Sequence, residues 1–334
     1  MTDGGGPVSD REAGDRILRR AAGVRSGDTR AIGRAISEVE RDSAAGRRIV
    51  AALAAHVGRA HRVGITGPPG AGKSSLVAEL ALAHENLGAR VGVVAIDPSS
   101  RATGGAVLGD RLRMTRHESL DRVYIRSLGS RGDQGGLSLA ATRIADVLDA
   151  AGYDPIFIET VGAGQDEVEV NDIAHTRVVV LPPGLGDDVQ AAKAGLMEIA
   201  DVFVVSKCDR AGAEHAIGDL TSLVGLRAGG LPAPVIVGTS TVDGRGIGRL
   251  VEVLCERSNR RPRGLAERAI ARLIMRRALR ETEAALARLP ATALADLGAR
   301  VRGGELTLGD AARAALAAID GSAPPGPRPF QGLF

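Results

Sequence analysis

The stretch RVGITGPPGAGKSSLVAELALAHENLG (62–88) decides the fold. It opens as a short apolar strand, RVGIT. The turn Gly67-Pro68-Pro69-Gly70-Ala71-Gly72-Lys73-Ser74 follows, and an amphipathic helix then runs to a stop at Gly88. The turn fits the G-x-x-x-x-G-K-[ST] pattern in the context that gives the pattern meaning, with a strand before it and a helix after it. Glycines let the loop wrap so that backbone N–H groups point at phosphate oxygens. The helix N-terminus adds partial positive charge. Gly67, Gly70, Ala71, Gly72, Lys73, Ser74 and Ser75 are therefore candidate phosphate-binding residues. Lys73 is expected to reach the β and γ phosphates, and the Ser74 hydroxyl to ligate Mg²⁺.

Working outward, further short apolar strands lie in RVGVVAIDP (90–98), YIRSL (124–128), DPIFIET (154–160), TRVVVLPP (176–183), ADVFVVSK (200–207) and APVIVGTS (233–240). Helical stretches separate most of them, including 137–150, 189–198 and 248–256. Alternation of this kind predicts an α/β fold with a mostly parallel sheet covered on both faces. Upstream, residues 1–12 read as a disordered tail. Residues 13–60 read as an N-terminal helical segment, broken at Gly27-Asp28 and again at 44–48. The P-loop domain is expected over 61–256. A helical arm follows over 257–320, opened by the basic helix 264–289, and 321–334 is a Pro/Gly-rich flexible tail.

Composition narrows the class. The 334 residues are 44% hydrophobic and 25% charged, as in ordinary globular proteins. No apolar run is long enough for a membrane span. MTDGGGPVSDREAGD has no apolar core of a signal peptide. Cys208 and Cys255 form no metal spacing or disulfide framework, so a cytoplasmic location is expected. The net charge of +3 argues against a dedicated nucleic-acid binder. Of 43 basic residues only Lys73, Lys193 and Lys207 are lysines. Where a bare positive charge suffices this chain uses arginine, so those three positions are expected to need a compact ammonium.

The base is read from the strand end Ser206-Lys207-Cys208-Asp209, which resembles the [NT]-K-x-D signature of GTPases. There the Asp carboxylate accepts hydrogen bonds from guanine N1–H and the 2-amino group, a pair adenine cannot supply. Ser206 stands where Asn is usual. Downstream, GTSTVDGRGIGRL (238–250), with Ser240 and Thr241, resembles the [ST]-[AS] loop that backs the guanine.

Three further blocks make the resemblance specific: AIDPSSRATGGAVLGDRLRM (95–114), FIETVGAGQDEVEV (157–170) and VVVLPPGLGDDVQAAKAGLMEIAD (178–201). They are similar to the GTPases that accompany methylmalonyl-CoA mutase, the MeaB/ArgK-type group. The resemblance covers about residues 15–320. It implies that Asp97, Asp110 and Glu159 lie around Mg²⁺ and the γ-phosphate. It implies a switch over Gly162–Glu167, with Gln165 comparable to a water-positioning glutamine. It implies a further switch over Pro183–Lys193, with Asp187 and Lys193 as polar contacts. Lys73, Asp97 and Glu159 are the catalytic candidates.

The implied function is a GTP-hydrolysing chaperone that gates cofactor loading and protects an adenosylcobalamin-dependent acyl-CoA mutase. The implied assembly is a homodimer, with GTP or GDP and Mg²⁺ as ligands and neither nucleic acid nor membrane as a partner. A metal-insertion GTPase and an amino-acid-transport-linked ATPase or kinase are the alternatives.

Overall fold

A computed structural model of the chain describes residues 10–97, 122–129, 134–160, 173–184, 200–225, 233–260 and 265–319. Contacts divide the chain into two units, Met1–Ile270 and Ala271–Phe334.

The first unit is built on seven strands: β1 Arg62–Thr66, β2 Val91–Asp97, β3 Val123–Gly129, β4 Ile156–Thr160, β5 Thr176–Leu181, β6 Val202–Val205 and β7 Val235–Gly238. Their order is β3-β2-β4-β1-β5-β6-β7, and every pairing is parallel. β1, β4 and β6 are buried along their whole length. This explains why they read as continuous apolar runs rather than alternating ones.

Helices α1 Asp10–Arg25, α2 Thr29–Glu40, α3 Ala44–Leu53, α4 Lys73–Asn86, α5 Gln134–Ala150, α6 Ala213–Gly225 and α7 Ile247–Asn259 belong to the same unit. α4 and α7 close a core with β1, β2, β5 and β6 through Leu76, Leu80, Val180, Val204, Leu250 and Leu254. α6 covers a second core on β5 and β6, around Phe203 and Leu220. α1–α3 pack on one another and on α5.

Several boundaries differ from the sequence expectation. α1 begins at Asp10, inside the segment read as a tail. The second break lies at 41–43 rather than 44–48: Asp42 takes φ +49, and the Ser43 hydroxyl caps α3 by accepting from Gly46 N–H at 2.9 Å. Gly46 lies inside the break expected over 44–48, yet it is part of α3. A Cβ there would fall 2.4 Å from the Glu38 carbonyl, so the glycine serves close crossing of α2 and α3. α6 was not foreseen, and α7 runs through residue 257 to Asn259. The helical stretch expected over 189–198 lies outside the described residues.

At the amino ends of the strands, buried Arg62 donates to Asp146 of α5 at 2.5 Å. Asp149 of the same helix accepts from the N–H groups of Gly58, Arg59 and Ala60. Burial pushes the Asp146 carboxyl up, against the pull of the Arg62 guanidinium. This polar cluster anchors the edge of the sheet opposite the nucleotide loop.

The second unit holds most of α8 Leu265–Ala287, with α9 Ala291–Arg302 and α10 Leu308–Ile319. Thr307 caps α10 by accepting from Asp310 N–H at 3.1 Å and donating to the Asp310 carboxylate at 2.6 Å. α10 buries Ala311 and Ala315. Ile274, Met275 and Leu279 of α8 are exposed.

Candidate nucleotide site

β1 leads straight into the loop 67–72, and α4 leaves it at Lys73. The loop is placed by a close approach. Gly67 has φ +141, and a Cβ on it would lie 2.1 Å from the Val180 carbonyl of β5. Only glycine fits against the neighbouring strand there. Gly70 and Gly72 also take positive φ, at 74° and 90°, and Gly72 occupies the N-cap of α4 in the left-handed region. Ala71 N–H donates to the Pro68 carbonyl at 3.2 Å, which closes the turn.

Two lysines donate to carbonyls of the loop. Lys73 Nζ donates to the carbonyls of Gly67 at 2.5 Å and Pro68 at 3.1 Å. Lys207 Nζ donates to the Gly70 carbonyl at 2.7 Å. Lys207 holds φ +56, a backbone position that costs a non-glycine residue about 1–2 kcal/mol. In a chain that otherwise uses arginine, both described lysines set a compact ammonium among loop carbonyls, a place a planar guanidinium fits poorly.

Ser74 and Glu159 meet beside the loop. Ser74 Oγ donates to Glu159 Oε1 at 2.5 Å, and Glu159 is fully buried near the carboxyl end of β4. Asp97 ends the adjacent strand. Ala95 pairs with Glu159 and Ile96 with Thr160, so Asp97 ends its strand two residues beyond the position opposite Glu159, on the same carboxyl edge of the sheet. A hydroxyl and a carboxylate at that edge form an oxygen donor set of the kind a hard divalent cation takes.

The candidate base-reading residues lie at the ends of β6 and β7. The buried Ser206 hydroxyl has the Ala71 carbonyl at 2.6 Å and the Leu181 carbonyl at 3.3 Å. Serine in place of Asn therefore still ties this strand end to the phosphate loop. Asp209 is exposed. Cys208 N–H donates to the Thr239 carbonyl at 2.9 Å, which joins the two base loops. Burial pushes the Cys208 thiol up, consistent with a packed residue and not a nucleophile. Ser240 is buried, and its hydroxyl accepts from Val242 N–H at 3.2 Å, while Thr241 beside it is exposed.

Two further contributors were not legible in the sequence. Arg245 donates through its guanidinium to the Cys208 carbonyl at 3.3 Å and to the Asp243 carboxylate at 3.0 Å. Gly246 has φ +73, and a Cβ on it would sit 1.9 Å from the Gly238 carbonyl. No pattern in one dimension marks such contacts. Of the remaining candidates, Ser75 is exposed on the first turn of α4. The side chain of Asp97 and the residues Asp110, Gly162, Gln165, Asp187 and Lys193 lie outside the described residues.

A glycine-lined phosphate loop at the centre of a parallel sheet, with a strand-end Lys-x-Asp loop bound to it, defines a P-loop GTPase. The solved structure titled LAO/AO transport system kinase shares the fold, with a TM-score of 0.67 over 94% of this chain and all of that one at 22% identity. Residues 29–285 match the family described as methylmalonyl Co-A mutase-associated GTPase MeaB, and the chain belongs to that family. A putative GTPase of Pyrococcus horikoshii is 46% identical over 246 residues, spanning 72% of this chain and 77% of its own length. A probable GTPase of Mycobacterium tuberculosis is 39% identical over 249 residues, spanning 71% and 73%. The protein is a GTPase. No helix among the described residues is long and apolar enough to cross a membrane.

Proposed function

We propose that this GTPase is a nucleotide-driven chaperone of an adenosylcobalamin-dependent acyl-CoA mutase, with methylmalonyl-CoA mutase as the first candidate. In this reading the nucleotide state gates cofactor loading and protects the mutase from inactivation. The family description, which names a mutase association, supports the partner. The observation that carries the switch is the Ser74–Glu159 contact, which couples the phosphate loop to the strand that runs into the 162–167 block.

In this reading, the N–H groups of Gly70, Ala71 and Gly72 and the Lys73 ammonium hold the β and γ phosphates. Ser74, Glu159, Asp97 and Asp110 would hold Mg²⁺, which would neutralise charge on the phosphates. Asp209 reads guanine, the Lys207 stem packs on the base, and Ser240 and Thr241 back it. Gly162, Gln165, Asp187 and Lys193 belong to the two switches that report the γ-phosphate. Among the described residues no side chain stands out as a strong base at the loop, so intrinsic turnover is slow and rises on partner binding. The C-terminal helices form the homodimer arm, and the protein acts in the cytoplasm.

The test is GTP hydrolysis with and without an adenosylcobalamin-dependent acyl-CoA mutase. Stimulation by the mutase is expected, and an unchanged rate sinks the chaperone reading.

A further inference from the structure

The outer face of α2 carries a cationic groove that the nucleotide chemistry does not use. Arg30 and Arg34 on the helix and Arg41 at its C-cap line one space of about 520 Å³ together with Arg20 of α1. Packing fixes this arrangement. Ile32, Ala35, Ile36 and Val39 take the opposite face of α2 into the core, which turns the arginines outward.

The groove is not a neutral network. Its one acid, Glu38, already accepts from the Ser43 hydroxyl at 2.7 Å and lies 3.7 Å from Arg41. Among the described residues no carboxylate comes within ion-pairing distance of Arg20, Arg30 or Arg34. Around the same helices, Arg47, Arg126 and Arg143 each hold an acid. Four guanidiniums and one carboxylate give the groove a charge of +3, equal to that of the whole 334-residue chain.

Gly33 lies in the lining between Arg30 and Arg34. Glycine weakens a helix interior relative to alanine. Packing does not demand it here, because a Cβ would meet only the Tyr124 hydroxyl at 3.6 Å, an ordinary contact.

We propose that this groove is a second anion site, separate from the P-loop, that binds the phosphate chain of a polyphosphorylated ligand. Guanidinium forks match phosphoryl oxygens two at a time. Arg30 and Arg34 are about 6 Å apart along the helix and Arg41 about 10 Å further, a span that suits several phosphoryl groups better than one. The rest of the lining is Gly33 and Ser37, so no aromatic or branched aliphatic side chain lines the groove to hold a base.

Calorimetry tests this with tripolyphosphate titrated into the full chain already saturated with GDP and Mg²⁺, which fill the P-loop. One additional site is expected, weakened by salt. The double variant Arg30→Gln/Arg34→Gln should weaken it at least tenfold and leave Tm and GDP affinity unchanged. Arg20→Gln, on the other helix, should weaken it as well. CTP binding as tightly as tripolyphosphate identifies the phosphate chain as the recognised part, whether the ligand is free polyphosphate or a nucleotide. The proposal is overturned by no site beyond the P-loop, by unchanged affinity in the variants, by tenfold tighter binding of CTP, or by hexaglutamate binding as tightly as tripolyphosphate.

Discussion

Ser74 Oγ and Glu159 Oε1 lie 2.5 Å apart although 85 residues separate them in the chain. The contact joins the start of α4 to the end region of β4 and sets two oxygen donors at the carboxyl edge of the sheet. Glu159→Gln keeps the shape but removes the charge. It is expected to lower GTP turnover by about two orders of magnitude or more, the scale of losing one preorganised electrostatic contact. GDP binding without Mg²⁺ should change little. Single-turnover hydrolysis beside nucleotide binding separates the two effects, and full turnover in the variant contradicts the assignment.

The Ser206 hydroxyl ties the end of β6 to the phosphate loop through the Ala71 carbonyl at 2.6 Å. Ser206→Ala leaves the buried Ala71 carbonyl without this donor, a loss of about 1–3 kcal/mol. GTP and GDP affinity should fall together, by about fivefold to 100-fold, while turnover of bound GTP stays near the original value. A drop in turnover alone argues against a loop-anchoring role.

Asp209 stands exposed at the end of the base loop. Asp209→Asn replaces an acceptor by a group that can donate, so preference should move from guanine toward xanthine nucleotides. Competition of GTP, XTP and ATP for one site measures this. An unaltered GTP preference removes Asp209 from base recognition.

His84 lies buried in α4, its Nδ1 2.8 Å from the Leu80 carbonyl and its ring edge-on to Phe157 at 5.6 Å. Burial holds its pKa below the usual histidine value. With the folded pKa lower, the unfolded chain takes up the proton first as pH falls. His84 therefore costs stability once pH drops through the unfolded value of about 6.5. Tm should decline less between pH 7 and pH 5 in His84→Gln than in the original protein. Equal slopes contradict the assignment.

The order of strands and helices around 62–88 was legible because each signal is local. A buried parallel strand reads as an apolar run, and the loop glycines occupy positions that require positive φ. Failures came where a residue answers to a distant partner. Gly46 looked like a break because its reason is the Glu38 carbonyl on another helix. Arg245 and Gly246 carried no pattern because their partners, Cys208 and Gly238, lie after β6 and at the end of β7.

By itself the sequence determined a phosphate loop, a Lys-x-Asp strand end and the family, since spacing along one chain segment fixes each motif. It left open what Ser206 and Ser74 would face. Tertiary structure decided both. The order β4-β1-β5-β6 sets the ends of strands far apart in sequence beside one loop. Hydrogen bonds of 2.5–2.6 Å depend on that adjacency rather than on any neighbour in the chain.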